Sequence, residues 1–306
     1  MKIAKTNNGL IALMFLLPSL IGFAVFSVLP MIVSMAVSLS SWDGLSKLIL
    51  FDDVSGFFQE FGIGVANYSN IFATPELYQV LGNTLKFVAM YIPLMLIAAM
   101  SVGLILAKGR RGSGVLRILY YIPVITSWVA GALIWRWAFS PEYGIINEIL
   151  KIFGISGPLW LQSAQWAMPG IVLASVWKDM GYFGLMLFAG LRSIDAGYYE
   201  AASIDGAGKI RQFFNVTLPM LSPTLFFVII INIINSLQIF PQVMVMTPGG
   251  GPGGSTMVMV ERIYTRAFSY YQMGYASALS WILFVVIFLF TFIQMQLQKR
   301  WVTYDV

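Results

Sequence analysis

Asn232, Asn235 and Gln238 recur at three-residue intervals, and Gln242 follows four residues further on. At about 100° per residue on an α-helix, these amides stay within a stripe roughly 120° wide. An amide donates and accepts hydrogen bonds at once, which suits a ligand made of hydroxyl groups. Pro241 stands beside them, where a helix must break. A second group, Trp177, Lys178, Asp179 and Tyr182, adds aromatic faces and one charge of each sign to another apolar segment. Together they read as a polar site, with Asn232, Asn235, Gln238, Trp177, Lys178 and Tyr182 as its candidate contacts. The same amides also have a plain structural use, since amide hydrogen bonds between apolar helices are worth about a kcal/mol each. Lys178 and Asp179 point about 100° apart on a helix, so each is expected to meet a group on another helix or a partner.

Other chemistry is absent. With no His and no Cys, thiol catalysis, thiolate metal sites and the commonest general base are all missing. The apolar segments hold no clustered carboxylates, which leaves nothing for an enzyme embedded in a membrane to work with. The glycine cluster at 249–254 has no lysine and does not make a nucleotide-phosphate loop, so the chain is expected to bind no ATP and no cofactor of its own.

The elements that position these residues follow from composition. The 306 residues are 58% hydrophobic and 10% charged, with mean hydropathy +0.80. A soluble domain carries about 25% charged residues. Six segments are long and apolar enough to cross a bilayer: 10–38, 80–107, 116–139, 168–191, 221–246 and 275–298. The first is about twice the length of a signal-peptide core and is expected to be retained. Proline and glycine punctuate the spans, as in a packed bundle with a path through it. The net charge of +5 would raise the question of nucleic acid in a soluble protein; here its distribution orients the chain instead. Eleven basic residues, Lys2, Lys5, Lys108, Arg110, Arg111, Arg117, Arg192, Lys209, Arg211, Lys299 and Arg300, fall on one side. Four, Lys47, Lys151, Arg262 and Arg266, fall on the other. The positive-inside rule then places both termini in the cytoplasm. Arg136, between Trp135 and Trp137, reads as an interfacial anchor.

The long inward loop, 192–220, carries the most specific signal. Asp195 caps a short helix from Ala196 to about Asp205, Gly206 ends it, and a second short helix from Lys209 to about Val216 leads to Pro219. Tyr198, Tyr199, Ile204, Phe213 and Phe214 give this elbow an aromatic and apolar surface that needs a cover. Glu200-Ala201-Ala202, then Gly206 after three residues, Val216 after nine more, and Leu218-Pro219 after one more make up a spaced pattern. It resembles the cytoplasmic signature of the permease subunits of binding-protein-dependent ABC importers, with Val216 in a position those proteins fill with Ile. Asn67-Tyr68, Asn83-Thr84, Tyr143-Gly144 with Asn147, Thr247 with Gly250-Gly251-Pro252 and Thr256, and Gly274-Tyr275-Ala276 are similar to the carbohydrate group of that family. Pro248 and Gly249 alter the usual glycine loop, and no additional N-terminal span or large outer domain, such as some maltose-type members have, is expected.

The resemblance implies an all-α membrane protein: a six-helix ABC importer permease bundle, forming a single transmembrane domain over 1–306. It implies half of a translocation pathway for a sugar or oligosaccharide in a bacterial or archaeal cytoplasmic membrane. The implied partners are a second homologous permease, two ATP-binding subunits carrying ATP and Mg2+, and an extracytoplasmic sugar-binding protein docking on the outer loops 40–79 and 247–275. Tyr199, Glu200, Ala201, Ala202, Asp205, Gly206, Ala207, Leu218 and Pro219 become the ATPase-coupling residues. An ion-coupled secondary transporter acting without an ATPase is the alternative; it calls for internal repeats or a relay of buried acids, and neither is clear in the sequence.

Overall fold

A computed structural model describes residues 8–62, 64–109 and 112–303, with no strand among them. Lys2, Lys5, Arg110 and Arg111, which count toward the charge asymmetry, lie outside the described residues. In chain order the first helices are α1 Ala12–Ser38, α2 Val54–Phe61, α3 Ala66–Ala73, α4 Pro75–Ala107, α5 Ser113–Ile125 and α6 Trp128–Ala138. There follow α7 Ile145–Ile152, α8 Ala167–Ser193, α9 Ala196–Ile204, α10 Lys209–Leu237, α11 Pro241–Met246, α12 Met259–Tyr264 and α13 Met273–Trp301. Among them α1, α4, α8, α10 and α13 are each long and apolar enough to span a bilayer.

Several of the helix deformations fall at prolines. The segment 116–139, expected as one span, is the pair α5 and α6, bent by 97°. Pro123 lies in the last turn of α5, Thr126 turns extended (φ −68°, ψ 137°), and the Ser127 hydroxyl accepts the Val129 N–H at 3.2 Å to start α6. A π turn at Ala24–Val28 precedes Pro30, and another at Phe213–Thr217 precedes Pro219. Such a turn shifts the hydrogen-bond ladder where proline has no N–H to contribute. The second of these turns merges the expected short helix at 209–216 into α10. The span expected from residue 80 begins instead at Pro75, because proline suits the first helical turn and the Glu76 carboxylate suits the positive end of the helix.

The chain divides into two compact units. The first comprises residues 1–74 and 263–282. There Asn67 Nδ2 donates to the carbonyls of Ser38 (2.9 Å) and Ser40 (2.8 Å), while the Tyr68 and Ser38 hydroxyls bond at 2.8 Å. These bonds cap the end of α1. The Gly274 N–H bonds the Trp42 carbonyl at 3.0 Å, and a Cβ at Gly274 would collide with the Ser40 carbonyl. Val37, Leu50 and Phe57 form the unit's core.

The second unit comprises residues 75–262 and 283–306. Its largest interface is α8 against α4, and small residues permit it. A Cβ on Gly184 would sit 2.6 Å from Val102 Cγ1 of α4. One on Gly181 would fall on the Tyr120 carbonyl of α5. Phe87, Met95, Met168, Ile171, Leu187 and Leu221 fill the core. After α11 the glycine loop is tied down from α4: Asn83 Nδ2 donates to the carbonyls of Gly254 (2.8 Å) and Met257 (3.0 Å). The Thr84 hydroxyl accepts the Met259 N–H at 3.1 Å, and the Thr256 hydroxyl donates to that of Thr247 at 2.8 Å. Gly251, at φ +71°, has no room for a Cβ beside the Thr256 hydroxyl.

Arg262 Nη2 meets Glu76 Oε1 at 2.7 Å, with side chains only 12% and 17% exposed. Removing Arg262 takes this short, largely buried ion pair from Glu76, so Arg262→Ala is expected to destabilise this unit by about 2 kcal/mol, the worth of a hydrogen bond between charged groups. The double change Glu76→Gln with Arg262→Gln is expected to recover most of the loss. Thermal melts of the two variants and the parent in detergent check this, and Arg262→Ala melting like the parent would refute it.

Candidate functional site

A cavity of about 320 Å³ opens in the second unit where α10 gives way to α11. The helix ends at Leu237, Gln238 leaves helical geometry (φ −108°, ψ 21°), and Pro241 starts α11. This break spreads the amides that the sequence places on one stripe. Asn235, Gln238 and Gln242 line the cavity. Asn232 does not: it is fully buried, with Nδ2 donating to the Val228 carbonyl at 2.8 Å.

The α8 candidates divide in the same way. Tyr182 lines the cavity. Lys178 does not: its ammonium donates to the Val124 carbonyl at 3.0 Å and lies 5.3 Å from the Trp128 ring. Trp177 also lies outside the lining and meets Trp135 edge-on at 5.7 Å. Asp179 takes their place, accepting the Tyr91 O–H at 3.2 Å on the cavity wall. Trp128, Ser175 and Ser236 complete the wall beside Phe87 and Tyr91. Tyr91 and Trp128 were not legible as site residues, because each sits alone in an apolar run; only the break between α5 and α6 brings Trp128 round. Arg136, read as an interfacial anchor, bonds the Val245 carbonyl at 3.4 Å and lines a second cavity with Tyr143 and Gln162.

The elbow at 192–220 forms largely as its sequence indicates. The Asp195 carboxylate accepts the Gly197 N–H at 2.6 Å to start α9. Gly206, at φ +77°, ends the helix: its N–H bonds the Ser203 carbonyl (3.0 Å) and that of Ala207 bonds the Ala202 carbonyl (2.9 Å). This paired closure needs a left-handed residue and therefore favours glycine. Gln212 Nε2 ties α10 back to Ala207 (3.1 Å) and Ser203 (2.9 Å), and the Tyr199 and Thr217 hydroxyls bond at 3.0 Å. The elbow is therefore braced at both ends. Glu200, Ala201, Asp205 and Gly206 are exposed, while Tyr199, Ala202, Ala207, Leu218 and Pro219 are half-buried. Ile204 is 86% exposed and Phe214 59%, so the apolar surface remains uncovered within this chain.

A break-ended cavity among apolar spans, with a braced helical elbow, defines a membrane transport component. Residues 61–303 match the family described as binding-protein-dependent transport system inner membrane component, and the chain belongs to that family. It is thus a multi-pass membrane protein and a permease subunit of an ABC importer; nothing supports a transporter acting without an ATPase. It is 35% identical over 303 residues to the probable ABC transporter permease YesP of Bacillus subtilis, covering 98% of this chain and 94% of that one. It is 33% identical to the trehalose/maltose transport system permease MalF of Thermococcus litoralis, covering 96% of each. It shares its fold with a chain in the crystal structure of a bacterial alginate ABC transporter in complex with an alginate pentasaccharide-bound periplasmic protein. That match has a TM-score of 0.78 and 21% identity, and covers 98% of this chain and 97% of the other.

Proposed function

We propose that this permease carries a sugar or oligosaccharide, that Asn235, Gln238 and Tyr182 are among its contacts, and that the elbow from Tyr199 to Pro219 couples it to an ATPase. The observation that carries the reading is the cavity itself, where three amides and several aromatic rings converge at a broken helix. Amides match paired hydroxyl groups, and ring faces match the C–H faces of a pyranose. The family's relation to a trehalose/maltose permease points the same way. Asn232, Trp177 and Lys178 act in this reading as supports behind the wall, since each is held by a neighbour. The whole chain serves as one transmembrane domain in a bacterial or archaeal cytoplasmic membrane. Both termini face the cytoplasm in this reading, which the charge asymmetry supports. The partners are a second permease, two ATPases that hold ATP and Mg2+, and an extracytoplasmic sugar-binding protein.

The test is uptake of radiolabelled disaccharides into proteoliposomes holding this chain, its partner permease and the ATPases, with the binding protein added. ATP-dependent accumulation is expected; uptake by this chain alone under an ion gradient overturns the reading. Asn235→Ala and Gln238→Ala are each expected to raise the half-saturating sugar concentration about three- to tenfold, the worth of one hydrogen bond. Unchanged saturation curves for both would remove them from the site.

A further inference from the structure

The cavity's polar groups are unevenly matched. Asp179 Oδ2 accepts the Tyr91 O–H, and its second carboxylate oxygen has no partner among the described residues. The Gln242 amide oxygen is buried, lines the same cavity and also has no partner. No Lys or Arg lines the wall. Lys178, adjacent in the chain, acts electrostatically on Asp179, but its ammonium bonds the Val124 carbonyl at 3.0 Å and does not line the wall. The wall therefore presents a carboxylate and a free amide acceptor with no Lys or Arg on the lining itself. A ligand that satisfies them brings O–H or N–H donors, and a ligand that brings its own carboxylate, phosphate or sulfonate meets a like charge.

We propose that Asp179 is a specificity-determining residue that admits saccharides which are uncharged or carry a protonated amine, and rejects acidic ones. This rests on the sugar reading of the same cavity. Two like charges about 5 Å apart at an effective dielectric of about 20 repel strongly enough to weaken binding on the order of a hundredfold. A protonated amine at the same place gains a charge-assisted hydrogen bond from Asp179, and a neutral hydroxyl gains an ordinary one. Trp128 and Tyr182 supply ring faces on which either kind of sugar can rest.

Binding measured by saturation-transfer NMR and calorimetry tests the proposal. The sample is the assembled permease–ATPase complex in nanodiscs, without the binding protein, so that this cavity's preference is read alone. The probes are three disaccharides of one linkage: a neutral one, one bearing a free amine and one bearing a uronate. The parent complex is expected to bind the neutral and amino sugars and to bind the uronate about a hundredfold more weakly. Asp179→Asn, nearly the same in shape, is expected to narrow that gap at least tenfold and to lose the preference for the amine; Asp179→Glu is expected to restore both. A parent complex that binds the uronate as tightly as the neutral sugar overturns the proposal even if every variant misfolds. A gap unchanged in a folded Asp179→Asn complex also overturns it. If none of the three sugars binds a complex that still hydrolyses ATP, the sugar reading itself fails.

Discussion

Glu200→Lys is expected to abolish transport-coupled ATP hydrolysis by the assembled importer while leaving this chain folded and inserted. Glu200 is exposed on α9 and makes no ion pair among the described residues, so reversing its charge costs the isolated subunit within about 0.5 kcal/mol. Its effect must then appear where the elbow meets a partner. In the proposed coupling, the uncovered Tyr198, Ile204 and Phe214 form the face that the ATPase covers. A rim charge of the wrong sign costs several kcal/mol against a complementary groove, enough to dissociate the motor or leave it idling. Gly206→Pro is expected to act in the same direction by another route. Proline cannot take φ +77° and has no N–H for the Ser203 carbonyl, so the paired closure of α9 opens and the lever loses its fixed angle. ATPase stimulation by the loaded binding protein is the measurement. Undiminished stimulation in a reconstituted Glu200→Lys complex would remove Glu200 from the coupling surface.

The second large effect belongs to the α8 interface. Gly181→Val is expected to prevent accumulation of folded permease, with a loss of several kcal/mol if it folds at all. The Cβ would fall on the Tyr120 carbonyl, and backbone cannot yield as a flexible side chain can. Neighbouring Gly184→Val is expected to be milder, because its nearest contacts are side-chain atoms, Val102 Cγ1 at 2.6 Å and Cβ at 2.7 Å, with the Ala99 carbonyl further away at 3.3 Å. In a bilayer there is no hydrophobic force to hold the separated helices together, so close approach through small residues carries much of their association. Folded yield after detergent extraction, read by size-exclusion chromatography, checks the ranking. Equal yields for the two variants and the parent would show that the contact at Gly181 is dispensable.

What could be read from the residues in order was whatever depends on near neighbours in the chain. Hydropathy marks apolar runs whatever they later pack against, and the Glu200–Pro219 spacing marks the elbow because capping, closure and brace all lie within about twenty-five residues. The motif residues Asn67, Asn83, Thr84, Thr247 and Thr256 were legible as a resemblance, yet their work was not. They tie loops to helices, some across about 170 residues of sequence, as when Asn83 reaches Met257.

Membership of the cavity was decided only by the tertiary structure. Periodicity places Asn232, Asn235 and Gln238 on one face, but Asn232 is buried and bonded to the Val228 carbonyl, while the other two line the cavity at the end of α10. Adjacent Lys178 and Asp179 part company because their side chains leave the helix about 100° apart, one toward a backbone carbonyl and one toward Tyr91. The turn of 97° that brings Trp128 to the wall follows from a proline and a serine cap whose effect on direction no local pattern encodes. Local order in the chain sets which segments are long and apolar enough to cross the bilayer and which segment forms the exposed elbow. Which side chains face the cavity depends on what the other helices leave uncovered.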